Sequence, residues 1–249
     1  MKTSQLREPS GIRPRPSHFI VLKKMSTEFE IYPTSPRIPT FGEVIDLAYP
    51  RIVSFLKEFD INFSEKMVFD VRTSEHKSLE LARDALFDWK GEGYVWFFYE
   101  DICGGTDAYC ESIEESDIEC WTEESEENER IKERLPELQK SFEIGHYWDF
   151  RRSAGQPAII NLSYGFLAAA TAELTDGIIH SWDSAWDYER LPCKCDVMYE
   201  HWFRSEDALN EDKGEWYTRC IEGIRNENKI RTSRDQERLT PSQHSSFRE

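Results

Sequence analysis

The sequence predicts an α+β domain, a mostly antiparallel sheet flanked by helices, and three observations predict it. Short β-rich runs and amphipathic runs interleave irregularly, without the strict strand-helix alternation of a doubly wound fold. Hydrophobic residues make up 39% and aromatics 13% of the 249 residues, enough apolar area to offset the entropy of ordering one core. Both ends are polar and aperiodic, which divides the chain into a basic segment 1–24, an acidic domain 25–223 and a polar tail 224–249, both ends expected to be disordered.

Within the domain, Phe29, Glu30, Ile31 and Tyr32 alternate as in a strand, stopped by the prolines of 33–39. Thr40 with Glu43 three residues later forms a capping box. Val44, Ile45, Ala48, Ile52, Val53, Phe55, Leu56 and Phe59 follow at helical spacing, with Pro50 expected to kink or split the helix. Residues 67–71 read as a second strand, 79–89 as a helix, and 94–99 as a third strand, central because it is aromatic on both faces. A helix over 128–142 is expected to be interrupted at Pro136, and 146–152 alternates as a strand. The apolar run 157–174 predicts a buried helix, since Asn161, Ser163 and Thr171 and its length argue against a membrane span. A short strand at 178–180, a loop at 181–192 and an amphipathic helix over 196–203 complete the domain.

Charge limits the function classes. The chain carries 31 Lys and Arg against 48 Asp and Glu, a net of −17. It is unevenly spread: residues 25–223 hold 19 bases and 43 acids. Such a field opposes binding to nucleic-acid phosphates and favours cationic partners. The N-terminal apolar run 19–22 is too short for the core of a secretory signal, so the cytoplasm is the expected compartment and no membrane partner is expected. The six cysteines are then expected as free thiols.

Motifs for chemistry are sparse. Gly104-Gly105 lacks the Lys-Ser/Thr of a phosphate-binding loop, and GxGxxG, GxSxG and HExxH are missing from the sequence, so no cofactor is expected. Cys193, Cys195 and His201 could offer three zinc ligands, but no second matched pair stands at structural-zinc spacing and no metal is expected. His180, Asp183, Asp187 and Glu189, threaded by Trp182, Trp186 and Tyr188, form the densest acid-base cluster. One reading makes Asp183 or Asp187 the acid-base group of a hydrolase with His180 as helper. The other has the rings anchor the loop while the carboxylates cap backbone. His146, Arg151 and Arg152 are expected to pair internally with carboxylates.

The segment 111–129 holds ten acids and no base. It is either a solvated loop or a surface for a basic protein, with Glu114, Glu115, Asp117, Glu123, Glu124, Glu126 and Glu127 as the charged rim and Trp121 as an apolar anchor. In its acidic α+β character and the stretch TAELTDGIIHSWDSAWDYERLP, the chain resembles bacterial immunity proteins that neutralise interbacterial toxins. The resemblance implies a non-enzymatic cytoplasmic binder that occludes the active site of a cationic toxin; a structural or assembly subunit is a further alternative.

Overall fold

Seven strands pair into one sheet in which every neighbouring pair is antiparallel, in the order β3-β2-β4-β5-β6-β1-β7. The structure is a computed structural model and describes residues 26–88 and 93–239. The strands are β1 (Ser26–Tyr32), β2 (Met67–Thr73), β3 (Ser78–Leu79), β4 (Gly93–Tyr99), β5 (Thr106–Ser112), β6 (His146–Ser153) and β7 (Ile178–His180). The helices are α1 (Phe41–Glu58), α2 (Glu115–Glu127), α3 (Glu129–Ile144), α4 (Ala158–Thr175), α5 (Cys195–His201) and α6 (Glu211–Leu239). This is the α+β antiparallel architecture expected, with β4 inside the sheet. The expected N-terminal segment 1–24 lies outside the described residues. Among the described residues, no helix is long and apolar enough to cross a membrane.

Period-two alternation divides the sheet into two faces. Phe29 and Ile31 of β1, Trp148 and Phe150 of β6, Ala108 of β5, Val95 and Phe97 of β4 and Val71 of β2 form one buried layer. It packs beneath α1 and α4. Helix α4 is buried almost all round, as its unbroken apolar sequence requires. Gly165 makes this possible on one side: a Cβ there would lie 2.4 Å from the Trp202 indole, whose Nε1 donates to the Leu162 carbonyl at 2.9 Å. The opposite face carries the alternate residues, Glu28, Glu30, Tyr32, Tyr147, Asp149, Arg151, Asp107, Tyr109, Tyr94 and Trp96. At its β1, β6 and β7 end it is covered by the α2–α3 hairpin through Tyr32, Trp121, Ile131, Leu138 and Ile178.

Four local expectations are corrected. Helix α1 starts at its capping box, with Thr40 N donating to Glu43 Oε2 at 2.8 Å and Glu43 N to Thr40 Oγ1 at 3.1 Å, yet runs unsplit through Pro50. Pro136 likewise lies inside α3. Both prolines are exposed, as are Asp46 and Lys132 four residues before them, so the carbonyls that lose a donor are left to water. Residues 80–88 are turns and a bridge rather than a helix; Trp89 lies outside the described residues. Their carbonyls have another task, because Arg83 O accepts from Gly42 N and Ala85 O from Phe41 N, two donors that the first turn of α1 leaves open.

The fourth correction concerns the tail. Helix α6 continues past residue 223 to Leu239. Ile224 is fully buried, Arg225 donates to the Phe59 carbonyl at 3.1 Å and Asn228 to the Asn62 carbonyl at 2.8 Å. Over 224–239 the apolar residues are Ile224, Ile230 and Leu239, six and nine positions apart, too sparse and irregular a pattern to be read as a helical face. Residues 240–249 lie outside the described residues.

Candidate functional site

Most of the acidic segment folds as a helix: Glu111 and Ser112 end β5, and α2 takes up Glu115–Glu127. Asp117 Oδ2 accepts the Glu114 amide at 2.8 Å, closing the first turn of α2. Asn128 both ends α2 and starts α3, its side chain accepting from Arg130 N at 3.1 Å. Of the 13 residues of α2 only Trp121 and Ser125 are buried. Seven of the 13 are acids and none is a base. Glu115, Glu119, Glu123, Glu126 and Glu127 are exposed, while Asp117 and Glu124 are partly covered. Glu114, just before the helix, is exposed too. The Tyr188 hydroxyl donates to Glu124 Oε1 at 2.5 Å and accepts from Asn128 Nδ2 at 2.9 Å, tying the loop after β7 to the end of α2.

Among the described residues, no ion pair joins an acid of α2 to a base. The carboxylates continue into its last turn, where the helix dipole disfavours negative charge. Local stability does not account for that placement.

Trp121 does not join the rim as an exposed anchor. Its ring is fully buried. It packs 5.2 Å from Tyr32, 4.6 Å from His180 and 4.9 Å from Trp182. A single aromatic in an acidic helix has nowhere else to avoid water, and the second face of the sheet offers it aromatic partners. Beneath it, Glu30 Oε2 accepts from the Tyr32 hydroxyl and from Trp182 Nε1, both at 2.8 Å. Tyr147 stacks on Tyr32 at 5.2 Å. Burial and the neighbouring Glu30 carboxylate raise the Tyr32 hydroxyl well above the usual phenol range.

His180 sits at the floor of this box, opposite Glu30 in the β1–β7 register. It is fully buried, 4.4 Å from the Trp182 ring, and neither ring nitrogen has a hydrogen-bond partner. Burial lowers its pKa to about 3, so it is neutral at ordinary pH. A buried polar group left unsatisfied costs about 1–3 kcal/mol, and the fold carries that cost at His180.

The structure gives His180, Asp183 and Asp187 separate roles. Asp183 Oδ1 accepts from Glu28 N at 3.2 Å and from the Ser181 hydroxyl at 3.0 Å, fastening the loop to β1. Asp187 is buried; its Oδ2 accepts from Leu209 N at 3.2 Å, and Lys213 Nζ and Arg190 Nε lie 3.6 and 3.7 Å from its carboxylate. Trp186 packs 6.0 Å from Trp202. These contacts are the loop-anchoring arrangement that the second reading of this stretch describes. A depression of about 190 Å³ lined by Ile45, Tyr49, Met67 and Arg83 and another of about 140 Å³ lined by Phe59, Phe203, Tyr217 and Arg225 include none of the three.

Cys193 is buried and bridges Ile179 in backbone pairing, its thiol pushed up to about 12 by burial. His201 Nδ1 lies 3.0 Å from Asp207 Oδ2. Among the described residues, no three His, Cys, Asp or Glu side chains converge as a metal site. Arg152 pairs internally, but with neutral oxygens: its guanidinium donates to Thr27 Oγ1 at 3.0 Å and Asn161 Oδ1 at 2.9 Å. Arg151 lies opposite Glu28 and Asp107 in the neighbouring strands and 5.7 Å over the Tyr109 ring.

Sequence reasoning found Trp121 and the acids but missed Glu30, Tyr32, Tyr147 and Trp182 as their floor. The available signal was the alternation in β1, which puts Glu30 and Tyr32 on the face opposite Phe29 and Ile31. No protein-family model matches the chain, and no curated protein or solved structure matches it.

Proposed function

We propose that the protein is a non-enzymatic binder that engages a cationic protein partner through the outer face of α2. The observation that carries this reading is the acid array itself: seven carboxylates on one short helix, without an intramolecular base among the described residues, and continuing into the last turn, where the helix dipole disfavours them. Uncompensated like charges on a folded scaffold weaken the isolated protein and are relieved by a basic partner. The resemblance to immunity proteins supplies the class of partner, a toxin domain whose basic surface the helix would cover. Trp121 contributes by holding α2 on the sheet, so that the acids are presented from a fixed backbone rather than a solvated loop. The rim would comprise Glu114, Glu115, Glu123, Glu124, Glu126 and Glu127, with Asp117 fixing the first turn.

The test is binding kinetics with a partner captured on the wild-type chain, repeated with those six glutamates replaced by Gln. Steering over a Debye length of about 8 Å acts on association. The six-Gln variant is expected to associate about tenfold or more slowly at low salt and to lose most of the salt dependence, with dissociation little changed. Association at the wild-type rate across salt concentrations would place the binding face elsewhere.

A further inference from the structure

We infer that α2 is a lid latched by Trp121, and that the box beneath it receives a guanidinium group of the cationic partner when the latch withdraws. This rests on the proposed function. Three observations bear on the closed state. Helix α2 is fastened to the sheet by one large buried side chain, Trp121, with Ser125 its other buried residue, and otherwise by the exposed Tyr188 hydroxyl bonds to Glu124 and Asn128 at its end. Its carboxylates repel one another, and those in the last turn oppose the dipole. His180, fully buried below, has both ring nitrogens without partners. The Trp121 contact therefore works against mutual repulsion and an unsatisfied imidazole, which is the balance of a two-state element.

The chemistry of the box selects the occupant. Its walls are the Tyr32 and Trp182 rings, each in edge-to-face contact with Trp121 and Tyr32 backed by the stacked Tyr147, and aromatic rings attract cations through their faces. Its acceptors are the Glu30 carboxylate, already receiving two donors, and the lone-pair nitrogen of neutral His180. Trp121 fills the box as a flat ring carrying one N–H. A guanidinium is also flat, stacks on aromatic rings and presents a fork of donors that can reach two acceptors at once, whereas an ammonium is a compact point charge. Outside the lid, the acids of α2 would draw the rest of a basic segment to the same place.

The experiment uses the full chain, wild type and with Trp121→Phe and Trp121→Ala, titrated with N-acetylarginine amide. Binding is followed by the imidazole nitrogen resonances of His180 and the indole resonance of Trp182. The expected result is affinity rising at least tenfold from wild type to Trp121→Ala, with Trp121→Phe between them. N-acetyllysine amide should bind at least fivefold more weakly, and adding Glu30→Gln should abolish the gain. If Trp121→Ala fails to fold, Trp121→Phe decides. Unperturbed His180 and Trp182 resonances in a folded latch variant, or equal affinity with Glu30→Gln, would overturn the inference. Neither result touches the outer rim, which the six-Gln kinetics read with the latch and box intact.

Discussion

Trp121 of α2 and His180 of β7 face each other with ring centroids 4.6 Å apart, both fully buried. With the Tyr32 and Trp182 contacts of the same indole, this contact joins the most acidic element of the chain to the second face of the sheet. It also separates two properties that the sequence places side by side: the glutamates act outward, the tryptophan inward.

Stability should therefore respond oppositely to the two. Trp121→Ala removes a fully buried ring and should cost about 3–5 kcal/mol in urea unfolding. The six-Gln variant removes repulsion and should unfold at the wild-type midpoint or above it. A Trp121→Ala protein as stable as wild type would show that α2 is held by other contacts.

His180 sets a pH dependence. Its folded pKa of about 3 lies below the ordinary value of 6.5, so the unfolded chain takes up a proton that the native state refuses. Stability is fully present above pH 6.5 and falls as pH drops toward the folded value. Between pH 7 and pH 4 the wild type should lose about 3 kcal/mol more than His180→Gln, at about 1.4 kcal/mol per pH unit below the unfolded pKa. Parallel stability curves for the two proteins would refute the assignment of a neutral, buried imidazole.

Asp187 is held by the Leu209 amide and lies near Lys213 and Arg190. Burial lowers the Lys213 ammonium while Asp187 opposes that shift. Asp187→Asn should thus destabilise the fold by about 2 kcal/mol, the scale of a hydrogen bond to a charged group. Calorimetry checks it. A variant of unchanged melting temperature that has lost biological activity would favour the hydrolase reading instead.

Helix α6 matters beyond residue 223. A chain ending at 223 loses buried Ile224 and the bonds of Arg225 and Asn228 to the Phe59 and Asn62 carbonyls. It should be less stable than one ending at 239 by about 2–5 kcal/mol, the usual range for removing a buried Ile side chain. Equal denaturation midpoints would show that this half of α6 adds nothing to the core.

The sequence by itself determined the elements whose signals are local. Thr40 and Glu43 dictate where α1 begins because both partners of the capping box lie within four residues. Alternation specifies β1 and β6, the run of aromatics on both faces specifies β4, and the unbroken apolar run of α4 requires burial on all sides. The outward acids of α2 were legible for the same reason, since the ten like charges of 111–129, seven of them in α2, cannot enter a core. What only the tertiary structure decided depends on distant partners. Residues 80–88 forgo a helix because the first amides of α1 need their carbonyls. Pro50 and Pro136 stay inside helices because the carbonyls they orphan lie toward solvent. Trp121 turns inward because Tyr32, Trp182 and His180, between 59 and 89 residues away in the chain, assemble a dry aromatic floor only once β1 pairs with β7. Burial of one ring there outweighs the preference of the surrounding helix for water, and that balance is a property of the assembled sheet, not of any local run of residues.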